Sequence, residues 1–283
     1  MSKEKILENV KKLREVTGVG FKDCKIALDE NKGDIEKSIE FLRKKGIAKA
    51  SKKMSRTAAD GLVLICEKDK MISAIEINSE TDFVAKNKDF INFCKEVSEI
   101  NFKNKGDLKK TKSSLMKNNK TVEDSLVNLI SKIGEKITLR RAKFFNNNGI
   151  NFSYVHNSME KNVGKVLSIV QMEKKNESGL QEIGSKLAMH IAASAPMAID
   201  KSGIKKDILD KELEIIKEEL KNSGKKDDMI DKISQGKLNK FVSDNTLLNQ
   251  IWIMDTKKKV KDVLKNDQKI IDFVRYKVGE GVE

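Results

Sequence analysis

Gly61-Leu62-Val63-Leu64-Ile65-Cys66-Glu67-Lys68-Asp69-Lys70-Met71-Ile72-Ser73-Ala74-Ile75-Glu76-Ile77 sets two apolar runs on either side of a short polar break. Leu62 to Cys66 and Met71 to Ile77 have the length and β-branched content of strands, and the break from Glu67 to Lys70 can turn one back on the other, so the segment predicts an antiparallel hairpin. Phe90, Phe93, Cys94 and Val97 follow at helical spacing and form one apolar face. A helix of that kind covers one side of a sheet, which makes the fold class α+β with antiparallel sheets.

Upstream the pattern is helical. Ile6, Val10 and Leu13 recur at spacings of 4 and 3, Gly18-Val19-Gly20 interrupts them, and Phe21, Cys24, Ala27 and Leu28 begin again. Gly33 permits a turn, Asp34 is a good N-cap, and Ile35, Ile39 and Leu42 give a third helix expected to end near Gly46. Ile47 to Ala59 carries Lys49, Lys52, Lys53 and Arg56 among small residues without an apolar period, and is read as a linker.

Downstream, Leu126, Leu129, Ile130 and Ile133 predict a helix ended by Gly134, with Ile137 to Leu139 as a strand. Phe152 to Val155, Val166 to Val170 and then Leu180, Ile183, Leu187 and Ile191 repeat the strand, strand, helix order, so the core reads as a duplication. Leu209, Leu213, Ile216 and Leu220 follow a 4, 3, 4 rhythm, a coiled-coil seam that Ser223-Gly224 can turn back through Met229, Ile233 and Phe241.

Composition narrows the function. The 283 residues, 38% hydrophobic with one Pro, allow a sizeable core plus smaller modules. No run approaches the ~18 apolar residues of a membrane span, and the N-terminal residues lack a signal-peptide core, so a cytoplasmic chain with no membrane partner is expected. Cys24, Cys66 and Cys94 fit neither a disulfide framework nor a zinc site. The two histidines, His156 and His190, stand far from every Cys in sequence and form no visible nucleophile and base pair, so no catalytic group, metal or cofactor is expected. Net charge +14 invites a nucleic-acid reading. Yet the lysines are interleaved with 43 acids, and one Trp and two Tyr make no stacking platform. The expectation is no specific nucleic acid, with RNA binding weak and fading by physiological ionic strength.

Immediately after the hairpin stands Ser79-Glu80-Thr81-Asp82-Phe83-Val84-Ala85-Lys86-Asn87. An acid beside an aromatic in a loop can present a tool to a partner. Two readings of Phe83 stand here: a core residue at a strand end, as most phenylalanines are, or an exposed wedge.

Several motifs in order carry a resemblance. They are Leu13-Arg14-Glu15-Val16-Thr17-Gly18 with Asp23-Cys24-Lys25 and Gly33-Asp34-Ile35; Ala58-Ala59-Asp60-Gly61; Thr81-Asp82-Phe83-Val84-Ala85-Lys86; Lys132-Ile133-Gly134-Glu135 with Arg140-Arg141; Met189-His190-Ile191-Ala192-Ala193-Ser194; and Val278-Gly279-Glu280-Gly281. Nearly the whole chain resembles the bacterial elongation factor Ts family, guanine-nucleotide exchange factors of elongation factor Tu.

That resemblance implies a three-helix, ubiquitin-associated-like module with its linker at 1–55 and a core N-subdomain at 56–143. It also implies a core C-subdomain at 144–200 and 247–283, with an antiparallel coiled-coil hairpin inserted at 201–246. It implies that the chain is not an enzyme and needs no cofactor, and that its partner is elongation factor Tu, GDP-bound and nucleotide-free. Thr81, Asp82, Phe83 and Val84 would intrude beside the nucleotide site and dislodge the partner's magnesium ion. Arg14, Phe21 and Lys22 match positions where the family's first module touches the GTPase domain, although Phe21 also suits the module's own core. His190 matches a partner contact, although its place between Leu187 and Ile191 also suits a buried histidine. Members of the family are commonly acidic, whereas this chain is basic. Some carry a short helix after the Gly-Glu-Gly segment, and with the sequence ending at Glu283 its contact is expected to be absent or supplied by the first module. The rival classes are a basic RNA- or ribosome-binding protein, which the charge distribution opposes, and an enzyme, which the missing catalytic grouping opposes.

Overall fold

The computed structural model describes residues 3–17, 19–174, 179–224, 227–265 and 267–282; Gly18, read above as a helix interrupter, lies outside them. Three helices come first, α1 (Lys3–Thr17), α2 (Phe21–Glu30) and α3 (Ile35–Lys53). They close on Val10, Leu13, Cys24, Ala27, Leu28 and Leu42. Asp34 caps α3 as its sequence context predicts, its carboxylate accepting from the Lys37 N–H at 3.0 Å.

The hairpin forms as read. Strands β1 (Asp60–Lys68) and β2 (Met71–Ser79) pair antiparallel from Asp60 opposite Ser79 to Lys68 opposite Met71. A single turn, α4 (Asp82–Ala85), leads into α5 (Lys88–Lys103), α6 (Leu108–Ser113) and α7 (Val122–Ile133), which Gly134 ends at φ +89°. Strand β3 (Ile137–Phe145) then pairs with β2. Next come β4 (Ile150–His156), the short β5 (Val163–Gly164) and β6 (Val166–Met172), then α8 (Leu180–Ser194). Helices α9 (Lys206–Asn222) and α10 (Asp227–Asn245) pack on each other through Ile216, Leu220, Ile230 and Leu238, with Lys217–Asp231 and Lys237–Glu219 ion pairs between them. The short α11 (Val260–Val263) and β7 (Ile270–Lys277) complete the order.

Two antiparallel sheets result, ordered β3-β2-β1-β5 and β4-β6-β7. In each, a hairpin is followed by helix and then by a strand that returns beside the hairpin's second strand, so the two halves share one connectivity. Alternation does the rest. Leu62, Leu64, Ile75 and Ile77 face α5 and α7, while Val63, Ile65, Ile72 and Ala74 face Leu167, Ile169 and Tyr276 of the second sheet. On that sheet's far side α8 lies so close to β4 that a Cβ at Gly184 would come within 2.2 Å of the Phe152 ring.

One expectation is corrected. α3 does not stop near Gly46 but runs on to Lys53, so the first half of the presumed linker is helix. It lacks an apolar stripe because it needs none: Gly46 lies against Ser131 of α7, Ala50 joins the first core, and Arg43 pairs with Asp124 at 2.9 Å.

The inter-sheet layer holds one charged knot. Glu76, fully buried, accepts from Arg140 Nη1 at 3.0 Å, Arg141 Nε at 2.5 Å, Asn78 Nδ2 at 3.0 Å and the Gly279 N–H at 3.0 Å. Two adjacent arginines reach one carboxylate because the β2–β3 register slips there: Glu76 faces Arg141 and Ile77 faces Leu139, leaving Arg140 as the extra residue of a bulge. Burial pushes the Glu76 carboxyl up, but the Gly279 amide, Asn78 and Arg141 outweigh it and leave it below the usual range.

Candidate functional site

Phe83 is 80% exposed, more than any other large hydrophobic residue among those described. Its neighbours explain why. α4 is one turn long, and Val84 and Ala85 drop from it into the first core. A turn that commits two successive residues inward must point the residue before them outward.

The turn is fixed from both sides. Thr81 occupies the N-cap position, but its hydroxyl donates to Glu135 Oε1 at 2.8 Å and its N–H to Glu135 Oε2 at 3.0 Å. Beside it Glu80 accepts from the Lys136 N–H at 2.6 Å and from Arg56 Nη1 at 3.2 Å. After the turn, Asn87 caps α5 by accepting from the Asp89 N–H at 2.9 Å. Glu135 and Lys136 follow the left-handed Gly134, whose carbonyl accepts from Lys53 Nζ at the end of α3. The first module's last helix therefore touches the turn that holds the Phe83 loop.

Asp82 is half-exposed and pairs with Lys86 at 2.7 Å, one helical turn on. The lysine's hydrogen bond holds the Asp82 carboxyl below its ordinary range. The exposed ring is thus flanked by one fixed negative and one fixed positive group.

Other singled-out residues divide. Arg14, Phe21 and Lys22 are exposed on the first module; Phe21 is 46% accessible and is not part of the module's core. His190 is fully buried. Its ring stacks on Trp252 with centroids 5.2 Å apart, Nδ1 accepts from the Ile253 N–H at 3.4 Å, and Nε2 donates to Gln250 Oε1 at 3.0 Å. The Gln250 amide is oriented by donating to the Ser194 and Asp244 carbonyls. Burial lowers the His190 pKa, in keeping with this neutral tautomer. Glu80 and Glu135 were missed as holders of the loop. The signal available was the Lys132-Ile133-Gly134-Glu135 motif, an acid placed just past a helix-stopping glycine.

Among the described residues no group of His, Cys, Asp and Glu could hold a metal ion, and no helix is long and apolar enough to cross a membrane.

Residues 80–280, from the loop through the Gly-Glu-Gly segment, match the family described as Elongation factor TS. The chain belongs to the elongation factor Ts family. It is 40% identical over 284 residues to elongation factor Ts of Methylobacterium nodulans, covering 97% of this chain and 92% of that protein. The same protein of Gluconobacter oxydans is 37% identical over 277 residues, and that of Nitrobacter hamburgensis 41% over 283, at the same coverage of 97% and 92%. The family places the chain among the elongation factors of protein biosynthesis.

Proposed function

We propose that this chain is a cytoplasmic guanine-nucleotide exchange factor that binds elongation factor Tu in its GDP-bound and nucleotide-free states and promotes GDP release. The observation that carries the reading is Phe83, a large apolar side chain held out in water on a turn whose flanks are bonded to Glu135 and Lys136. The bonds at Glu80 and Thr81 fix the turn that holds the phenylalanine in water, where a partner can bury it.

In this reading Phe83 enters the partner's GTPase domain as a wedge, with Thr81 and Val84 fixing its height and Asp82 beside it. Burying the ring favours the distorted partner by roughly 1.5 to 3 kcal/mol. Magnesium and the phosphate-binding loop supply the strongest local attraction for GDP, so displacing them releases it. Asp82 can take exposed amides or repel phosphate. Coupling is reciprocal, so nucleotide in turn weakens the factor's grip and returns it for another cycle.

Arg14, Phe21 and Lys22 are proposed to dock the first module, residues 1–55. The core N-subdomain, 56–143, carries the wedge; the C-subdomain, 144–200 with 247–283, gives a second contact. The pair α9 and α10 within 201–246 is the coiled-coil arm. His190 would act from inside, by holding the segment that exposes Ile251, Ile253 and Met254.

The test is the release of labelled GDP from elongation factor Tu with and without this protein, compared with its Phe83→Ala variant. No acceleration by the intact chain would end the proposal.

A further inference from the structure

The positive charge is not evenly spread. Residues 103–120, Lys-Asn-Lys-Gly-Asp-Leu-Lys-Lys-Thr-Lys-Ser-Ser-Leu-Met-Lys-Asn-Asn-Lys, hold seven lysines and a single acid, a net +6 of the chain's +14. Lys103, Lys105, Lys109, Lys110, Lys117 and Lys120 are exposed and Lys112 is half-buried. Only Lys110 pairs with an acid among the described residues, and loosely, with Asp107 at 3.9 Å.

The backbone beneath these lysines is already ordered. Asp107 caps α6 by accepting from the Lys110 N–H at 3.0 Å, and Thr111 is buried with its hydroxyl on the Asp107 carbonyl at 2.8 Å. Asn104 Nδ2 donates to Ser114 Oγ at 2.9 Å. Glu96, the nearby acid on α5, is engaged by the Lys117 N–H at 2.5 Å. Asp107 and Glu96 thus hold the main chain, and apart from the loose Lys110–Asp107 pair and the attraction of Lys120 for Asp124 the ammonium groups are left to solvent, so a ligand orders side chains only.

We infer that residues 103–120 form a docking surface for the phosphate backbone of RNA, read without regard to sequence. Protein interfaces are depleted in lysine and centre on buried aromatic or arginine anchors, whereas this segment has neither an aromatic nor an arginine. Flexible point charges along a fixed scaffold suit a repeating line of phosphates, where counterion release supplies the affinity. RNA is the polyphosphate an elongation factor meets. The surface starts at Lys103, at the far end of α5 from the Phe83 loop and about 24 Å away along a helix of 16 residues, and returns at Lys117 to Glu96, midway along that helix.

The test is fluorescence anisotropy of a labelled RNA duplex of about 20 base pairs, titrated with the full chain at about 50 mM and about 200 mM salt. Two variants are compared: Lys103, Lys105, Lys109 and Lys112→Gln in the patch, and Lys211, Lys221, Lys232 and Lys240→Gln on α9 and α10. All but the half-buried Lys112 are exposed, and matched melting curves confirm folding. The patch variant should lose about tenfold in affinity at low salt, with a shallower salt dependence, and the control about twofold or less. Equal losses would assign the affinity to overall charge and overturn the proposal. So would absence of RNA binding at low salt, or patch-dependent binding to phosphatidylserine vesicles with RNA binding unchanged.

Discussion

The backbone N–H of Gly279 donates to Oε1 of Glu76 at 3.0 Å, across 203 residues of sequence. Gly279 can do this because it sits at φ +74°, against Ala59, whose carbonyl oxygen would be 1.9 Å from any Cβ there. Gly279→Ala should therefore destabilise by about 1–3 kcal/mol from the backbone conformation alone, and by more because Ala59 must move. Glu76→Ala, which strands two arginines and the amide, should cost about 3–5 kcal/mol. Urea midpoints measure both, and an unchanged midpoint for either would refute the knot.

The same carboxylate sets an acid limit. Its folded pKa lies below its usual 4.5, so its stabilisation is complete above that value and is lost as pH falls through the depressed one. In Glu76→Gln the fall in melting temperature below pH 4.5 should be shallower than in the parent.

Phe83→Ala separates the wedge from the core residue. At 80% exposure the change should alter folding stability by no more than about 0.5 kcal/mol, while GDP release slows roughly 10- to 150-fold for the 1.5 to 3 kcal/mol of burial lost. A strongly destabilised variant whose folded fraction exchanges GDP normally would sink the wedge. Glu135→Ala, which frees Thr81, should slow release with the ring still present.

How the sequence spoke and where it fell silent can be read at particular residues. Leu62 to Cys66 and Met71 to Ile77 were legible because both faces of that hairpin are buried, and Gly134 because a left-handed residue ends α7. The extension of α3 was not, since Gly46 and Ala50 pack by being small and leave no apolar period. Nothing in the sequence marks Glu76 as buried, and the slip at Arg140 that brings two arginines to it shows only in the structure. The exposure of Phe83 depends on Glu135, whose sequence neighbours do not include the loop.

Gly46 tests the corrected linker. A Cβ there would meet Ser131 Oγ at 3.2 Å. In a free linker, Gly46→Leu would favour helix and stabilise by up to about 1 kcal/mol. Packed on α7, it should instead cost about 1–3 kcal/mol by overpacking, and Ser131→Gly should recover part of the loss. Thermal melting of the single and double variants decides between the signs.

His190 makes the second pH prediction. Its pKa is lowered from 6.5 by burial, so the unfolded chain takes up the proton first and stability drops as pH falls below about 6.5. The drop in melting temperature between about pH 7 and about pH 5 should shrink in His190→Gln. An unchanged slope would mean that the ring is not buried neutral.

The clasp of Gly279 on Glu76 also orders events in time. At a synthesis rate of about 5–20 residues per second, residue 279 follows residue 76 by about 10–40 seconds. Through that interval the first sheet can form its hairpin and bring Asn78, Arg140 and Arg141 to the carboxylate, but the bond from Gly279 is still missing. The final seal waits for residue 279, so a ribosome that stalls short of that codon leaves a chain with its seam unclosed.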